Sequence, residues 1–160
     1  MKELIGIAEQ VAARLIARNQ TIAVAESSTG GLISASLLAV PGASAYFLGG
    51  AVVYTRDARR VLMDISDDGM KGFRSSSEPY ARLLAEQMRS RFGSDWGLSE
   101  TGAAGPTGNR YGDAAGHSCM AVAGSAAEVI TLETASGDRF ANMQTFAATA
   151  LRLLLKRLEG

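Results

Sequence analysis

The spacing of apolar residues divides the chain into alternating helices and strands. Near the start, apolar positions recur every three or four residues, which predicts an amphipathic helix over residues 2–18: Leu4, Ile7, Ala8, Val11 and Leu15. A short β-branched run, Thr21-Ile22-Ala23-Val24, then predicts a first strand over about 21–26. Helical spacing resumes at once, so we expect a second helix over 29–40, which Pro41-Gly42 ends.

The remaining pattern predicts four more strands and three more helices. The strands are expected at about 49–54, 95–99, 117–122 and 129–134. One helix is expected at 56–63, one from a Ser77 cap to about residue 92, and one after Ser136-Gly137-Asp138. Residues 67–69 and 101–116 are predicted loops, and Ser125-Ala126 is a predicted hairpin turn.

This order of elements predicts an α/β fold. Strands that alternate with helices early in the chain, and form a hairpin late, are typical of a mixed sheet covered by helices. We therefore expect a three-layer α/β/α single domain, residues 1–160, with a mixed sheet of about five strands. Ligands of such sheets bind outside the carboxyl ends of the strands, so the loops after the first three strands should meet over one crevice.

Composition narrows the possible partners. Sixteen basic and sixteen acidic residues cancel, which argues against nucleic acid or a membrane surface as the main partner. The single Cys119 excludes an internal disulfide, and with a single His117 there is no cluster of metal ligands. No apolar run reaches transmembrane length, and the first residues form an amphipathic helix and not a signal peptide. We expect a cytoplasmic protein without a metal.

The turn between the first strand and the second helix carries the strongest chemical signal. It reads Glu26-Ser27-Ser28-Thr29-Gly30-Gly31, and its backbone N–H groups precede a helix, where they favour negative charge. A serine at this place can cap the helix, bind an anion, or act as a nucleophile. The N–H groups at Ser28 to Gly31, or those in the Gly102 loop, would then hold its oxyanion. The pattern alone leaves these three roles open.

Two further groups of residues have both a structural and a chemical interpretation. Arg56, Arg59 and Arg60 follow the second strand, and they form either a solvated helix face or a clamp for a phosphate. His117 is either a histidine hydrogen-bonded to backbone at the start of a strand or a base beside Ser27. Lys71, in a loop, is a weaker candidate base.

Several segments, in order and over nearly the whole chain, resemble the C-terminal domain of the CinA (competence/damage-inducible) proteins. Besides the Glu26 to Gly31 turn, these segments are Val40-Pro41-Gly42-Ala43-Ser44, Gly49-Gly50-Ala51-Val52-Val53-Tyr54-Thr55, Ser77-Glu78, Thr101-Gly102 with Ala104-Gly105-Pro106 and Gly108, and Ser136-Gly137-Asp138-Arg139. The resemblance implies hydrolysis of the carboxamide of nicotinamide mononucleotide (NMN), giving nicotinate mononucleotide and ammonia. It implies a serine–lysine mechanism without a cofactor.

The resemblance also assigns roles to positions of this chain. Ser27 corresponds to the nucleophilic serine, and Arg59 stands where the family has its lysine. The expected catalytic residues are Ser27, Arg59 and His117. The expected substrate-binding residues are Glu26, Ser28, Thr29, Gly30, Gly31, Tyr54, Arg56, Thr101, Gly102 and Gly105.

The arginine at the lysine position leaves more than one function open. A general base must lose its proton near the working pH, which arginine does not do in proteins. The chain is therefore expected to be an NMN amidase with another base, with His117 as the first choice, or a homologue that binds an NMN-like nucleotide with little or no catalysis. A third interpretation is an oligomeric scaffold with the leucine-rich residues 151–158 as its contact, and a homo-oligomer is expected in any case.

Overall fold

A computed structural model describes all residues, 1–160. It contains five α-helices and a five-stranded sheet, with two short 3-10 helices at Ala43–Ala45 and Asp68–Met70. The helices are α1 (Lys2–Arg18), α2 (Leu32–Leu38), α3 (Arg56–Met63), α4 (Glu78–Phe92) and α5 (Arg139–Glu159). The strands are β1 (Ile22–Glu26), β2 (Phe47–Val52), β3 (Trp96–Ala103), β4 (His117–Ala123) and β5 (Glu128–Glu133).

The sheet has the mixed character that the sequence predicts. Its strand order is β2-β1-β3-β4-β5. Strand β1 lies between β2 and β3 and is parallel to both, whereas β3, β4 and β5 form an antiparallel unit. The crossovers through α2 and α4 bring three parallel carboxyl ends to the same edge of the sheet.

Alternation along β1 explains the three layers. Ile22 and Val24 belong to the large core cluster that also contains the buried faces of α1 and α5. Ala23 and Ala25 point the other way, into a cluster with Leu84 of α4. Successive strand residues face opposite sides of a sheet, so β1 is buried on both sides and reads as a continuous apolar run. The predicted α/β/α architecture is confirmed.

Three element boundaries differ from the prediction. Helix α2 starts only at Leu32, because Gly31 adopts φ +104° and ends the turn before the helix. The second strand is Phe47–Val52 and not 49–54, so Tyr54 lies in the loop after it. The third strand continues to Ala103, and Thr101 and Gly102 pair with Cys119 and Ser118 of β4 instead of opening a loop.

The leucine-rich C-terminal segment is part of the core. Leu151, Leu153, Leu154 and Leu158 are all buried on α5 within the large cluster. The interpretation of residues 151–158 as a contact between subunits is therefore wrong, since these side chains already pack within the domain. No helix in the structure is both long enough and apolar enough to span a membrane.

Candidate functional site

A cavity of about 610 Å³ lies at the carboxyl ends of β1, β2 and β3. Ser27 reaches it from the end of β1, Tyr54 from the end of β2, and Gly102 from the end of β3. The predicted convergence of these three loops is thus what the structure shows. Four arginines line the cavity, Arg56, Arg59, Arg74 and Arg110, and Asp67 is the one carboxylate among the lining residues. We call it the arginine-lined cavity.

Ser27 differs from its two hydroxyl neighbours in being free. Its side chain lines the cavity and makes no hydrogen bond within the protein, while its backbone N–H donates to Glu100 Oε2 over 3.1 Å. The Ser28 hydroxyl donates to the other oxygen of Glu100, and the Thr29 hydroxyl lies 2.7 Å from a carboxylate oxygen of Glu26. Ser28 and Thr29 therefore have structural roles, which leaves Ser27 available for chemistry.

Glu100 organises this turn, and the sequence analysis missed it. It is fully buried on β3 and accepts hydrogen bonds from the N–H groups of Ser27 and Thr29 and from the hydroxyls of Ser28, Thr29 and Ser118. Burial raises the pKa of Glu100, and these hydrogen bonds act in the opposite direction. The predicted third strand ended at residue 99 and the predicted loop began at residue 101, so Glu100 was assigned to neither element and no role was predicted for it.

Glu26 is the second buried carboxylate of the turn. It accepts hydrogen bonds from the backbone N–H groups of Gly31, Ile33 and Ser34 at distances of 2.9–3.1 Å. A carboxylate at a helix N-terminus satisfies N–H groups that have no partner within the helix. The structure therefore places Glu26 at the start of α2, and it does not line the arginine-lined cavity.

The predicted row of anion-binding N–H groups is mostly occupied. The Thr29 N–H donates to Glu100, the Gly31 N–H to Glu26, and the Gly30 N–H to the Ser27 carbonyl. From Ser28 to Gly31, only the N–H of Ser28 has no acceptor within the protein. This group belongs to the residue directly after the free serine, the place from which an N–H holds the oxyanion in many serine hydrolases.

The glycines predicted to bind substrate have roles in the backbone conformation. Gly30 and Gly31 have positive φ angles, and neither lines the cavity. Gly105 also lies outside the cavity wall, and its carbonyl accepts a hydrogen bond from Arg139. Gly102 does line the cavity, and a Cβ there would lie 2.6 Å from the carbonyl oxygen of His117. The tight pairing of β3 with β4 therefore requires this glycine.

The start of α3 supplies one cationic wall. The Thr55 hydroxyl accepts from the N–H of Ala58 and caps the helix, so that Arg56 and Arg59 project from its first turns into the cavity. Arg59 is 9% exposed, and its Nε is buried without a hydrogen-bond partner. Its guanidinium lies 5.8 Å from the ring centre of Tyr80. Arg60, by contrast, pairs with Asp57 and does not line the cavity.

Arg74, Arg110 and Tyr111 form a second wall that the sequence analysis did not predict. The Arg74 guanidinium donates two hydrogen bonds to Asp113, of 2.7 and 3.1 Å. Arg74 and Arg110 each lie 5.3 Å from the ring centre of Tyr111. The feature of the sequence that could have indicated this wall is the long glycine-rich segment before β4, because it brings an arginine and a tyrosine over the crevice.

The structure does not bring either candidate base to the cavity. His117 lies at the start of β4, with Nδ1 2.5 Å from Glu133 Oε1 and Nε2 2.7 Å from the Ser76 carbonyl. Both ring nitrogens are thus engaged, and neither His117 nor Lys71 lines the cavity. Burial lowers the pKa of His117, but the contacts with Glu133, Ser76 and Asp113 outweigh burial and raise it above its usual value.

The chemistry of the cavity wall suits an anionic ligand that also has a flat ring. Guanidinium groups bind phosphate through paired hydrogen bonds, and the unsatisfied, buried Nε of Arg59 is a donor that lacks an acceptor. Four aromatic side chains provide apolar surface beside these charges: Tyr54, Phe73, Tyr80 and Tyr111. Asp67 is the one carboxylate among the lining residues, so the wall offers little to a metal ion.

Known proteins resemble this chain throughout its length. A CinA-like protein of Chlorobium limicola is 38% identical over 150 residues, 90% of this chain, and one of Chlorobaculum tepidum is 36% identical over 97% of it. The alignments cover 35% and 38% of those relatives, so the chain spans about a third of their length.

Solved structures have the same fold as this chain. A CinA superfamily protein from Klebsiella pneumoniae is 25% identical and superposes with a TM-score of 0.90, covering 98% of both chains. One from Enterobacter cloacae is 28% identical with a TM-score of 0.89, over 97% of this chain and 92% of that one. The family model of the CinA C-terminal domain matches residues 5–158. The chain therefore belongs to the CinA C-terminal domain family.

Proposed function

We propose that this domain binds NMN in the arginine-lined cavity and hydrolyses its carboxamide, with Ser27 as the nucleophile. The observation that supports this most directly is the free hydroxyl of Ser27 on the wall of that cavity, beside two hydroxyls that Glu26 and Glu100 hold in place. A nucleophile needs an unoccupied lone pair and a rigid support, and this turn provides both.

The phosphate of NMN would bind to Arg56 and Arg59. Arg59 has a buried donor without a partner, and Arg56 stands one helical turn before it on the same wall. A phosphate bound to these two guanidinium groups would place the nicotinamide ring among the tyrosines of the cavity. Binding energy from the phosphate would then position the carboxamide for attack.

The reaction would proceed in two steps. The Ser27 oxygen gives up its proton and bonds to the carboxamide carbon, and the Ser28 N–H stabilises the resulting oxyanion. The carbon–nitrogen bond then breaks as the nitrogen takes up the proton that Ser27 released and leaves as ammonia. Water then cleaves the ester on Ser27, which releases nicotinate mononucleotide and returns the hydroxyl. No metal or cofactor is needed in this scheme.

A second candidate function is nucleotide binding without rapid turnover. The observation that favours it is the absence of a proton acceptor for Ser27. Arg59 stays protonated, His117 uses both nitrogens elsewhere, and the one carboxylate on the wall, Asp67, lies 3.8 Å from an Arg59 nitrogen. Such a site would bind NMN and hydrolyse it slowly.

One pair of measurements separates these functions. Ammonia release from NMN is followed for the wild type and Ser27→Ala, and NMN binding is measured by calorimetry for both. The amidase is supported if the wild type releases ammonia, Ser27→Ala does not, and the two proteins bind NMN with affinities within a few-fold of each other. Binding without release supports the second function, and the absence of both contradicts the two proposals. The expected homo-oligomer and cytoplasmic location stay predictions.

A further inference from the structure

Ser76 occupies an unusual position on the wall of the arginine-lined cavity. It is a non-glycine residue with φ +57°, a left-handed conformation that L-residues adopt at an energetic cost. Both of its backbone polar groups are held. Its N–H donates to Thr101 Oγ1 over 3.1 Å, and its carbonyl accepts from His117 Nε2 over 2.7 Å. The surrounding side chains therefore impose this conformation.

The two contacts of His117 favour its protonated state. A backbone carbonyl can only accept a hydrogen bond, and an ionised carboxylate such as that of Glu133, at 2.5 Å, also only accepts. Both contacts are hydrogen bonds only when both ring nitrogens carry hydrogen, that is, when the ring is an imidazolium. A neutral imidazole would turn a lone pair toward one of these oxygens and lose that contact.

The charged groups around the ring favour the same state. Asp113 Oδ2 lies 3.7 Å from His117 Nε2, and behind it Arg74 binds the same carboxylate. The Cys119 thiol lies 3.8 Å from Nε2, and Glu78 of α4 hydrogen-bonds to Thr131, next to that thiol. Two carboxylates, those of Glu133 and Asp113, therefore face the ring. The one cation among these groups is Arg74, whose Nη1 lies 3.5 Å from the Ser76 carbonyl oxygen and 2.7 Å from Asp113 Oδ2.

We propose that His117, as an imidazolium, is a positioning residue for ligand binding: it fixes Ser76 on the cavity wall and, through Asp113, the guanidinium of Arg74. The loss of its proton removes either the hydrogen bond to Ser76 or the one to Glu133 and weakens the attraction to Asp113. Ser76 and Arg74 both line the cavity, so the affinity for an anionic ligand falls when His117 becomes neutral. This inference rests on the proposed function only for the identity of the ligand.

The first test needs no ligand. His117 is the one histidine of the chain, so its ring signals in a proton–carbon NMR spectrum are unique. We expect a titration from pH 5 to 9.5 to give a midpoint above the ordinary 6.5, with the Ser76 amide and the Arg74 side-chain signals moving at the same midpoint. Glu133→Gln should lower all three midpoints together. Ser76 and Arg74 signals that do not follow His117, or a midpoint at or below 6.5, would overturn the proposal.

The second test measures binding. NMN affinity of the wild type should fall by about tenfold between pH 7 and pH 9.5, a range above the second pKa of a phosphate monoester near 6. In Glu133→Gln the fall should occur at lower pH, and in His117→Gln it should disappear. The same fall in His117→Gln as in the wild type would contradict a positioning role. If NMN does not bind at all, the proposed function fails, while the NMR titration still decides the role of His117.

Discussion

The side chain of Glu100 and the backbone of Ser27 are joined by a hydrogen bond of 3.1 Å from the Ser27 N–H to Oε2. This bond ties the end of β3 to the turn after β1, although the two segments are far apart in sequence. Four further hydrogen bonds, from Ser28, Thr29 and Ser118, converge on the same buried carboxylate. The position of the free Ser27 hydroxyl thus depends on a residue that does not line the cavity.

Replacing Glu100 by glutamine should destabilise the domain and disorder this turn. An amide nitrogen in place of Oε1 would force the hydroxyls of Ser28 and Ser118 to turn from donors into acceptors, and the charge-assisted hydrogen bonds to the carboxylate would be lost. We expect a loss of about 2–4 kcal/mol in the free energy of unfolding, measured by urea denaturation. Glu9→Gln is the matched control, because Glu9 is exposed on α1, and it should change the free energy by less than about 0.5 kcal/mol. Equal effects of the two substitutions would show that Glu100 has no special role.

Ser27→Ala should abolish activity and leave stability nearly unchanged, whereas Ser28→Ala should lower stability. Ser27→Ala removes a hydroxyl without a partner, so the free energy of unfolding should stay within about 0.5 kcal/mol while ammonia release from NMN stops. Ser28→Ala removes a buried hydrogen bond to Glu100 and should cost about 1–2 kcal/mol of stability. A Ser27→Ala protein that hydrolyses NMN at the wild-type rate would exclude Ser27 as the nucleophile.

The sequence predicted the architecture because apolar spacing and turn residues report local structure well. The helix from residue 2 to 18, the helix at 56–63 and the five strands are all present, although β2 and β3 are displaced or extended. The end of β3 was missed because Glu100 and Gly102, on either side of Thr101, are residue types depleted in strands. Their pairing with Met120, Cys119 and Ser118 of β4 stabilises the strand there, and this tertiary contact leaves no local signal.

The site was predictable only in part, for a similar reason. Ser27, Tyr54, Arg56, Arg59, Thr101 and Gly102 line one cavity, because the ends of parallel strands share one edge, and their roles toward a substrate stay predictions. Arg74, Arg110 and Tyr111 come from long irregular segments whose path depends on contacts such as the Arg74–Asp113 pair. Spacing along the chain carries no information about such a path.

The arginines of α3 should make NMN bind more tightly than nicotinamide riboside, which lacks the phosphate. A charge-assisted contact of this kind predicts a difference of roughly 1.5–3 kcal/mol by calorimetry. Arg56→Met should remove most of that difference, whereas Arg60→Met should keep it, since Arg60 pairs with Asp57 outside the cavity. Equal affinities of the wild type for the two compounds would contradict the phosphate clamp.

The stability contribution of His117 should depend on pH. Its pKa is raised in the folded protein, so its stabilising contacts are fully present below the unfolded-state pKa of about 6.5 and are lost as the pH rises through the folded-state value. Urea unfolding should therefore show a larger difference between the wild type and His117→Gln at pH 6 than at pH 9. Each unit by which the pKa is raised adds about 1.4 kcal/mol to that change. A difference that is the same at both pH values would mean that folding does not shift the pKa of His117.

Arg59→Lys tests whether the arginine at this position is the reason that Ser27 has no general base. The guanidinium of Arg59 lies beside Tyr80, and Arg59 lines the same cavity as Ser27, but arginine stays protonated at any working pH. A lysine at this position would be largely buried and close to Arg56, and both conditions lower the pKa of an amine, although Asp67 acts against them. The neutral amine could then take the proton of Ser27. General base catalysis contributes about 10²–10⁴-fold, so we expect ammonia release from NMN to rise by at least about tenfold, with an optimum at alkaline pH.

Arg60→Lys is the control, because it makes the same chemical change outside the cavity and should leave the rate unchanged. A rate for Arg59→Lys at or below that of the wild type would show that the arginine is not what limits turnover, and the proton acceptor would have to be sought among the other groups of the cavity wall.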